Sequence, residues 1–367
     1  MSHILHRKNI LILSEGFGTG HTQAAYAISE GLKNQSTQIH TKVIELGSSL
    51  HPYLAPHFFN VYRKTLNVQP KIYAKLYYSK YKNSPGPITQ MILHRVFYAK
   101  TTQLIHQFNP DIILCTHPFP NAVIARLKRL GLSIPLYTIV TDYDIHGAWM
   151  TTETDKYLIP TEEIKQKLMN KNIPEKKIIV SGIPVHPKFW KKSEKKLIRE
   201  KFQLKNKPTL LVMGGGWGML NYSQLLEYLL SWKEKIQIII CMGNNDKARK
   251  KMDTDPLFQH ENIHVLGFTK NVDELMDASD LLITKPGGVT CTEGLVKGLP
   301  MLFYNPIPGH EENNCQFFLN HQLAKKLTSI DELKFWLDQL VKHEKVQFTS
   351  KPLSRYKYSV DIIDCLV

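Results

Sequence analysis

The chain has 367 residues, which is too long for one compact core and suits two domains. An apolar fraction of 43% excludes global disorder, and a formal net charge of +15 implies an anionic partner: nucleic acid, a membrane surface or an anionic substrate. The one apolar run near the N-terminus, Ile10 to Leu13, is too short for a signal segment or a spanning helix, and a glycine loop cuts it off. The five cysteines (Cys115, Cys241, Cys291, Cys315 and Cys365) are odd in number and scattered, with no C-x-x-C, so neither a disulfide frame nor a zinc site is expected. These features together suit a cytoplasmic protein, peripheral to a membrane.

Asn9 to Leu13 reads as a buried parallel strand. It runs into Ser14-Glu15-Gly16-Phe17-Gly18-Thr19-Gly20-His21 and then a helix over roughly 22–33. Strand, glycine loop and helix form the opening unit of a doubly wound sheet. The spacing is G-x-G-x-G-H, so the dinucleotide fingerprint G-x-G-x-x-G is not met. A second strand is expected over about 38–45.

Residues 46–110 contain no Asp or Glu. They do carry Arg63, Lys64, Lys71, Lys75, Lys80, Lys82, Arg95 and Lys100, interleaved with aromatics such as Phe58, Phe59, Tyr62, Tyr73, Tyr77 and Tyr78. A solvated basic surface is the plain reading. An acid-free span of this length with amphipathic aromatics points instead to an anionic membrane surface, where Tyr sits at headgroup level and Lys or Arg meets lipid phosphate. No nucleic-acid module accompanies the patch, so no nucleic-acid partner is expected.

Strand and helix then alternate. Strands are expected at 111–116, 135–141, 157–159 and 177–180, with helices over 118–130 and from Glu162. The second of these strands ends in Thr141-Asp142-Tyr143-Asp144-Ile145-His146-Gly147-Ala148-Trp149. Gly182-Ile183-Pro184-Val185 breaks the pattern, and a linker is placed at about 183–190, before a charged helix. The second half restarts the plan with a strand at 209–213, the loop Gly214-Gly215-Gly216-Trp217-Gly218 and a helix from about Asn221. Strands at 236–242 and 263–266 follow, then Gly267-Phe268-Thr269-Lys270 and a short helix.

The stretch from Leu281 to Phe318 carries the most chemistry. A strand (281–284) meets a Pro-Gly-Gly turn and a helix from Gly288; a second strand (301–304) meets a Pro-rich loop and a helix from about Glu311. Each junction leaves unpaired N–H groups at a helix N-terminus, a site for phosphate. Gly287 and Gly288 let backbone approach a ligand closely. Glu293 is placed to reach a ribose diol, while His310, Glu311 and Asn314 are placed to meet a sugar. This reads as a nucleotide-sugar site. A polar tail is expected after it. Right-handed crossovers put the strand-to-helix loops on one edge of each sheet, facing a cleft. The expected division is an N-terminal Rossmann-like domain (1–184) and a C-terminal one (185–345). A tail (346–367) is expected to return to the first domain.

Four motifs in this order carry a family resemblance. They are Gly18-Thr19-Gly20-His21; Thr141-Asp142 with His146 and Trp149; Ile283-Thr284-Lys285-Pro286-Gly287-Gly288-Val289-Thr290 with Thr292-Glu293; and Pro306-Ile307-Pro308-Gly309-His310-Glu311 through Asn314. Across about residues 9–320 the chain resembles the processive diacylglycerol glucosyltransferases and the monogalactosyldiacylglycerol synthases. The resemblance implies a GT-B fold of two doubly wound domains. It also implies inverting transfer of a hexose, most simply glucose, from a UDP-sugar donor to the acceptor diacylglycerol, with no metal and no cofactor.

In that light His21 is the expected general base or acceptor-positioning group, at a helix N-terminus that favours neutral imidazole. A capping or surface role is its alternative. Asp142 either orients His21 or caps a loop. His146 and Trp149 are expected on the acceptor side, with plain core as the alternative for Trp149. Donor binding falls to Gly20, Gly214, Gly215, Gly216, Phe268, Lys285, Gly287, Gly288, Val289, Thr290, Glu293, His310, Glu311 and Asn314. The backbone N–H groups at 287–290 would take the leaving-group charge. Asp142-Tyr143-Asp144 is the one D-x-D spacing near the cleft, and the family pattern assigns it elsewhere. Relatives commonly show Gln where this chain has His310, which puts the donor sugar in question. A UDP-sugar epimerase or another UDP-sugar transferase of the same fold, and a non-enzymatic UDP-sugar sensor, are the competing readings.

Overall fold

The computed structural model describes residues 8–68, 86–88, 91, 95, 100–216, 218 and 223–342. They divide into two compact units, the first ending at Pro187 and the second beginning at Lys188. The expected tail at 346–367 lies outside the described residues.

In the first unit β1 (Lys8–Ser14), β2 (Ile39–Glu45), β3 (Ile112–Cys115), β4 (Leu136–Ile139), β5 (Lys156–Ile159) and β6 (Ile178–Val180) form one sheet in the order β2-β1-β3-β4-β5-β6. Every neighbouring pair is parallel, with Ile10 opposite Ile39 on one side and opposite Ile112 on the other. Alternate side chains of β1 feed opposite faces, as a pleated strand requires. Ile10 and Ile12 pack with Ala25, Ile28 and Leu32 of α1 (Thr19–Gln35). Leu11 and Leu13 pack on the other face with Val123, Ile124 and Leu127. Between β2 and β3 lie α2 (Leu46–Leu50), α3 (Ala55–Val68) and α4 (Thr101–Phe108). Next come α5 (Pro118–Arg129) and α6 (Glu162–Met169). Proline at the first position of α5, and Thr161 capping α6 by accepting from Ile164 N–H, start those helices where the sequence says they should.

The second unit repeats the plan. Its strands are β7 (Thr209–Met213), β8 (Gln237–Cys241), β9 (Ile263–Leu266), β10 (Leu281–Thr284), β11 (Met301–Phe303) and β12 (Lys325–Lys326), in the order β12-β11-β10-β7-β8-β9, all parallel. Its helices are α7 (Lys195–Lys201), α8 (Ser223–Leu230), α9 (Asp246–Thr254), α10 (Val272–Ala278), α11 (Gly288–Lys297), α12 (His310–Asn320) and α13 (Ile330–Val341). Two of these correct the sequence reading. Helix α9 carries no fully buried residue, and only Ala248 and Met252 pack against the core, too narrow an apolar face to betray it. The supposed polar tail instead contains β12 and α13. In α13, Leu333, Leu337 and Leu340 recur at helical spacing and join the core cluster with Leu210, Val212 and Ile283.

Each sheet reverses its winding once, between β1 and β3 in the first unit and between β7 and β10 in the second. In open α/β sheets such switch points open a crevice at the carboxyl ends of the strands, where ligands bind. Four loops are thereby singled out: after β1, β3, β7 and β10.

A buried ion pair holds the second unit's switch-point helix in place. Lys297 Nζ, at the end of α11, meets Asp277 Oδ2 of α10 at 2.6 Å, with both side chains 2% exposed. Lys297 also donates to Lys191 O at 2.7 Å, and Asp277 accepts from Ser193 N–H at 3.1 Å. Removing one member of such a pair strands the other charge. We therefore expect Lys297→Met to lower the unfolding free energy by about 3–5 kcal/mol, read from the chemical-denaturation midpoint.

Candidate functional site

The second unit's half-site is built from the loops after β7 and β10. Gly215 and Gly218 have φ of +70° and +55°, and Gly218 N–H donates to Gly215 O at 2.9 Å. A Cβ on Gly218 would lie 1.8 Å from Met242 O, so this turn admits only glycine. Gly214 is buried, whereas Gly215 and Gly216 are half-buried. Across the switch point, β10 ends at Thr284 and α11 begins at Gly288 with Gly287 as its N-cap. The N–H groups of Gly288, Val289 and Thr290 have no acceptor within the helix, because Cys291 N–H makes the first bond, to Gly287 O. A Cβ on Gly287 would meet nothing within 4 Å. The turn therefore faces open space and holds it open by lacking a side chain.

The floor beneath that space comes from α12. Asn314 is fully buried and donates through Nδ2 to Pro286 O at 3.0 Å. Expected as a sugar contact, it braces the turn at Pro286 from below. Glu311 is 8% exposed, and its Oε2 accepts from Ile307 N–H at 2.7 Å. It thus fastens the Pro-rich loop, while Glu312 accepts from Gly309 N–H and caps the helix. Lys285 is largely buried. Loss of water pulls its ammonium pKa down, and the nearby Glu311 carboxylate opposes that fall. His310, the first residue of α12, is half-buried and follows Gly309, whose φ is +98°. Phe268 is 53% exposed and so does not belong to the core.

Glu293 lies in the second turn of α11 and is half-buried. Burial pushes its carboxyl up to about 8, opposed by Lys188 and assisted by Asp273. A nearly neutral acid at this point can donate as well as accept a hydrogen bond.

The first unit's half-site flanks its own switch point. Gly18 caps α1, and Gly20 and His21 occupy its first turn, all half-buried. Thr141 Oγ1, at the end of β4, lies 2.7 Å from His21 Nδ1. His117, before α5, sits edge-on to His21 with ring centroids 4.7 Å apart. Asp142 follows Thr141 and is 9% exposed. Neither Thr141 nor His117 was assigned a role from sequence. A His-Pro pair at a strand end was the readable signal for the latter. Trp149, expected on the acceptor side, is fully buried in the core with Val140 and Tyr157 and lies under His21, centroids 6.1 Å apart. His146 is half-buried, 6.3 Å from the Trp149 ring. Glu15, buried in the glycine loop, accepts from Gly47 N–H at 2.9 Å and ties that loop to α2. Asp144 pairs with Lys167, so the D-x-D spacing is not a pair of open carboxylates.

Of the basic stretch, Arg95 and Lys100 are exposed. Arg63 and Lys64 fall on α3, where side chains are not described, and Lys71, Lys75, Lys80 and Lys82 lie outside the described residues. Among the described residues no helix is long and apolar enough to cross a membrane.

Residues 21–185 match the family model for monogalactosyldiacylglycerol (MGDG) synthase, and residues 209–357 match the glycosyltransferase family 28 C-terminal domain. A processive diacylglycerol beta-glucosyltransferase of Bacillus licheniformis is 30% identical over 346 residues, covering 92% of this chain and 88% of the relative. This chain belongs to the processive diacylglycerol glucosyltransferase family. The family member from Staphylococcus haemolyticus is 29% identical and covers 99% of this chain and 94% of its own length. Solved structures bear out the GT-B fold. MurG of Acinetobacter baumannii superposes with a TM-score of 0.58 at 16% identity, covering 98% of this chain and 99% of that one. UDP-GlcNAc 2-epimerase of Neisseria meningitidis, bound to UDP-GlcNAc, gives 0.61 at 15%, with the same two coverages. At these identities the likeness is one of fold.

Two outcomes follow from the geometry. Gly287→Ala should leave the melting temperature unchanged, since the added methyl meets only open space, yet weaken UDP binding at least tenfold by calorimetry. For Glu293 the folded carboxyl pKa is raised. Its contribution to stability is therefore full below the ordinary carboxylate value of 4.5 and is lost as pH rises through about 8. Glu293→Gln should flatten the fall in denaturation midpoint over that window.

Proposed function

We infer that the protein transfers a hexose, glucose, from a UDP-sugar to the hydroxyl of 1,2-diacylglycerol, making glycosyl-diacylglycerol. The observation that carries this reading is the pairing of family membership with two different switch points. One presents helix N–H groups over an open glycine turn, suited to a diphosphate. The other presents an imidazole held at its Nδ1, suited to take a proton.

In this reading the diphosphate of UDP lies against the N–H groups of Gly288, Val289 and Thr290. Glu293 takes the ribose hydroxyls, the glycines at 214–216 give the sugar room, and the turn at Phe268 frames the uracil. His310 borders the sugar. His21 Nε2 accepts the proton of the lipid hydroxyl as its oxygen bonds to the anomeric carbon from the face opposite the phosphate. The bond from that carbon to the phosphate oxygen breaks, and the charge left on UDP is stabilised by the α11 N–H groups and the helix dipole, with no metal. The product carries an inverted anomeric centre and new hydroxyls, so it can serve as acceptor again. Approach to diacylglycerol uses the basic aromatic stretch of residues 46–110 on the anionic inner face of the cell membrane.

A transfer assay decides this. Labelled UDP-glucose, but not UDP-galactose, should give lipid-extractable label with diacylglycerol in anionic mixed micelles, as a ladder of products, and EDTA should leave the rate unchanged. His21→Ala should lower kcat by about a hundredfold to ten-thousandfold while UDP affinity stays the same. Tight UDP binding with no label in lipid would overturn the reading.

A further inference from the structure

The His21 ring is seated by three neighbours that come from two loops, those after β3 and β4. Trp149 lies beneath it, His117 meets it edge-on, and Thr141 bonds its Nδ1. His117 is itself held. It is 6% exposed, and its Nδ1 accepts from Phe119 N–H at 3.2 Å as the N-cap of α5. With that nitrogen accepting, the ring proton of neutral His117 sits on Nε2. Phe17 stacks on the same ring with centroids 5.7 Å apart and planes 19° apart, and Phe119 packs against it at 5.1 Å. His117 thus forms a fixed wall, clamped on one side by a helix start and on another by the glycine loop.

Thr141 plays a different part. It is 2% exposed at the carboxyl end of β4, and the chain separation from His21 is 120 residues. A hydroxyl both donates and accepts, so it serves the ring in either protonation state. When Nδ1 carries hydrogen and donates to Thr141 Oγ1, Nε2 keeps its lone pair. When Nε2 has taken a proton, Nδ1 still donates to the same oxygen. The bond therefore survives the proton transfer without rearrangement.

We propose that Thr141 and His117 are the positioning residues of His21, Thr141 holding its Nδ1 and His117 fixing the plane of its ring. The inference rests on the reading of His21 as the base. Its tests separate it from that reading, because one of them needs no substrate.

The nitrogen spectrum of uniformly 15N-labelled protein, without ligand, reads the tautomer of His21 directly. The His21 signals of Thr141→Ser should match the wild type, and those of Thr141→Val, which loses the hydroxyl at Nδ1, should move. His21 signals unmoved by Thr141→Val overturn the proposal whatever the activity. The second test is kinetic, with UDP-glucose and diacylglycerol micelles. Thr141→Val should lower kcat at least tenfold with the KM for UDP-glucose unchanged, and Thr141→Ser should restore it. His117→Asn keeps an N-cap oxygen for Phe119 N–H while removing the ring, so it should melt like the wild type and still lose kcat at least tenfold. Wild-type kcat in His117→Asn with a wild-type melt removes His117 from the proposal. His21 signals that move as expected in the variants, with no lipid product from the wild type, overturn the proposed reaction and leave the placement of the ring standing.

Discussion

The constraint on which the rest depends is that every strand in both sheets runs parallel to its neighbours. A parallel sheet buries both faces, so the only backbone that can meet a ligand lies in the loops at its ends. Because each order reverses once, two loops at that point lead their helices to opposite faces and leave a gap between them. Glycine fills the sequence there for a reason of space. A side chain on Gly218 would strike Met242 O, whereas a side chain on Gly287 would fill the gap itself.

Loops alone would not hold such a gap open to tolerance. What holds them is a set of buried polar side chains, each satisfied by backbone. Glu15 binds Gly47 N–H, Glu311 binds Ile307 N–H and Asn314 binds Pro286 O. A buried polar group left unpaired costs about 1–3 kcal/mol, so each of these contacts defines one loop conformation and penalises others. The same logic sets Asp277 against Lys297 and the backbone of 191–193. The chemistry faces outward from these anchors and does not itself serve as one.

Much of this was legible in the sequence. Short apolar runs followed by Gly or Pro located every strand that carries a site loop, because a buried parallel strand has no polar face to blur the signal. What escaped shows the limits of local pattern. Helix α9 has a charged sequence that meets the core through Ala248 and Met252 alone, and α13 follows a polar stretch that drew attention from its three leucines. At the site, Asn314 and Glu311 looked like ligand contacts because both are polar and sit at a helix start. Only the fold shows them turned inward. Trp149 was misread for the opposite reason, since an aromatic in a motif-rich loop resembles a recognition residue until its burial is known. Thr141 and His117 act through a contact across 120 and 96 residues of chain from His21, which no local spacing reveals.

Helix α12 also separates two kinds of duty between adjacent positions. Glu311 and Asn314 carry the architecture, and neither can change without loosening a loop. His310 sits beside them at the first turn, half-buried and supported by a backbone that Gly309 and Glu312 have already fixed. The side chain at this one place can therefore differ while the loop and the turn behind it stay fastened, so the fold makes position 310 an exchangeable tip on a fixed mount.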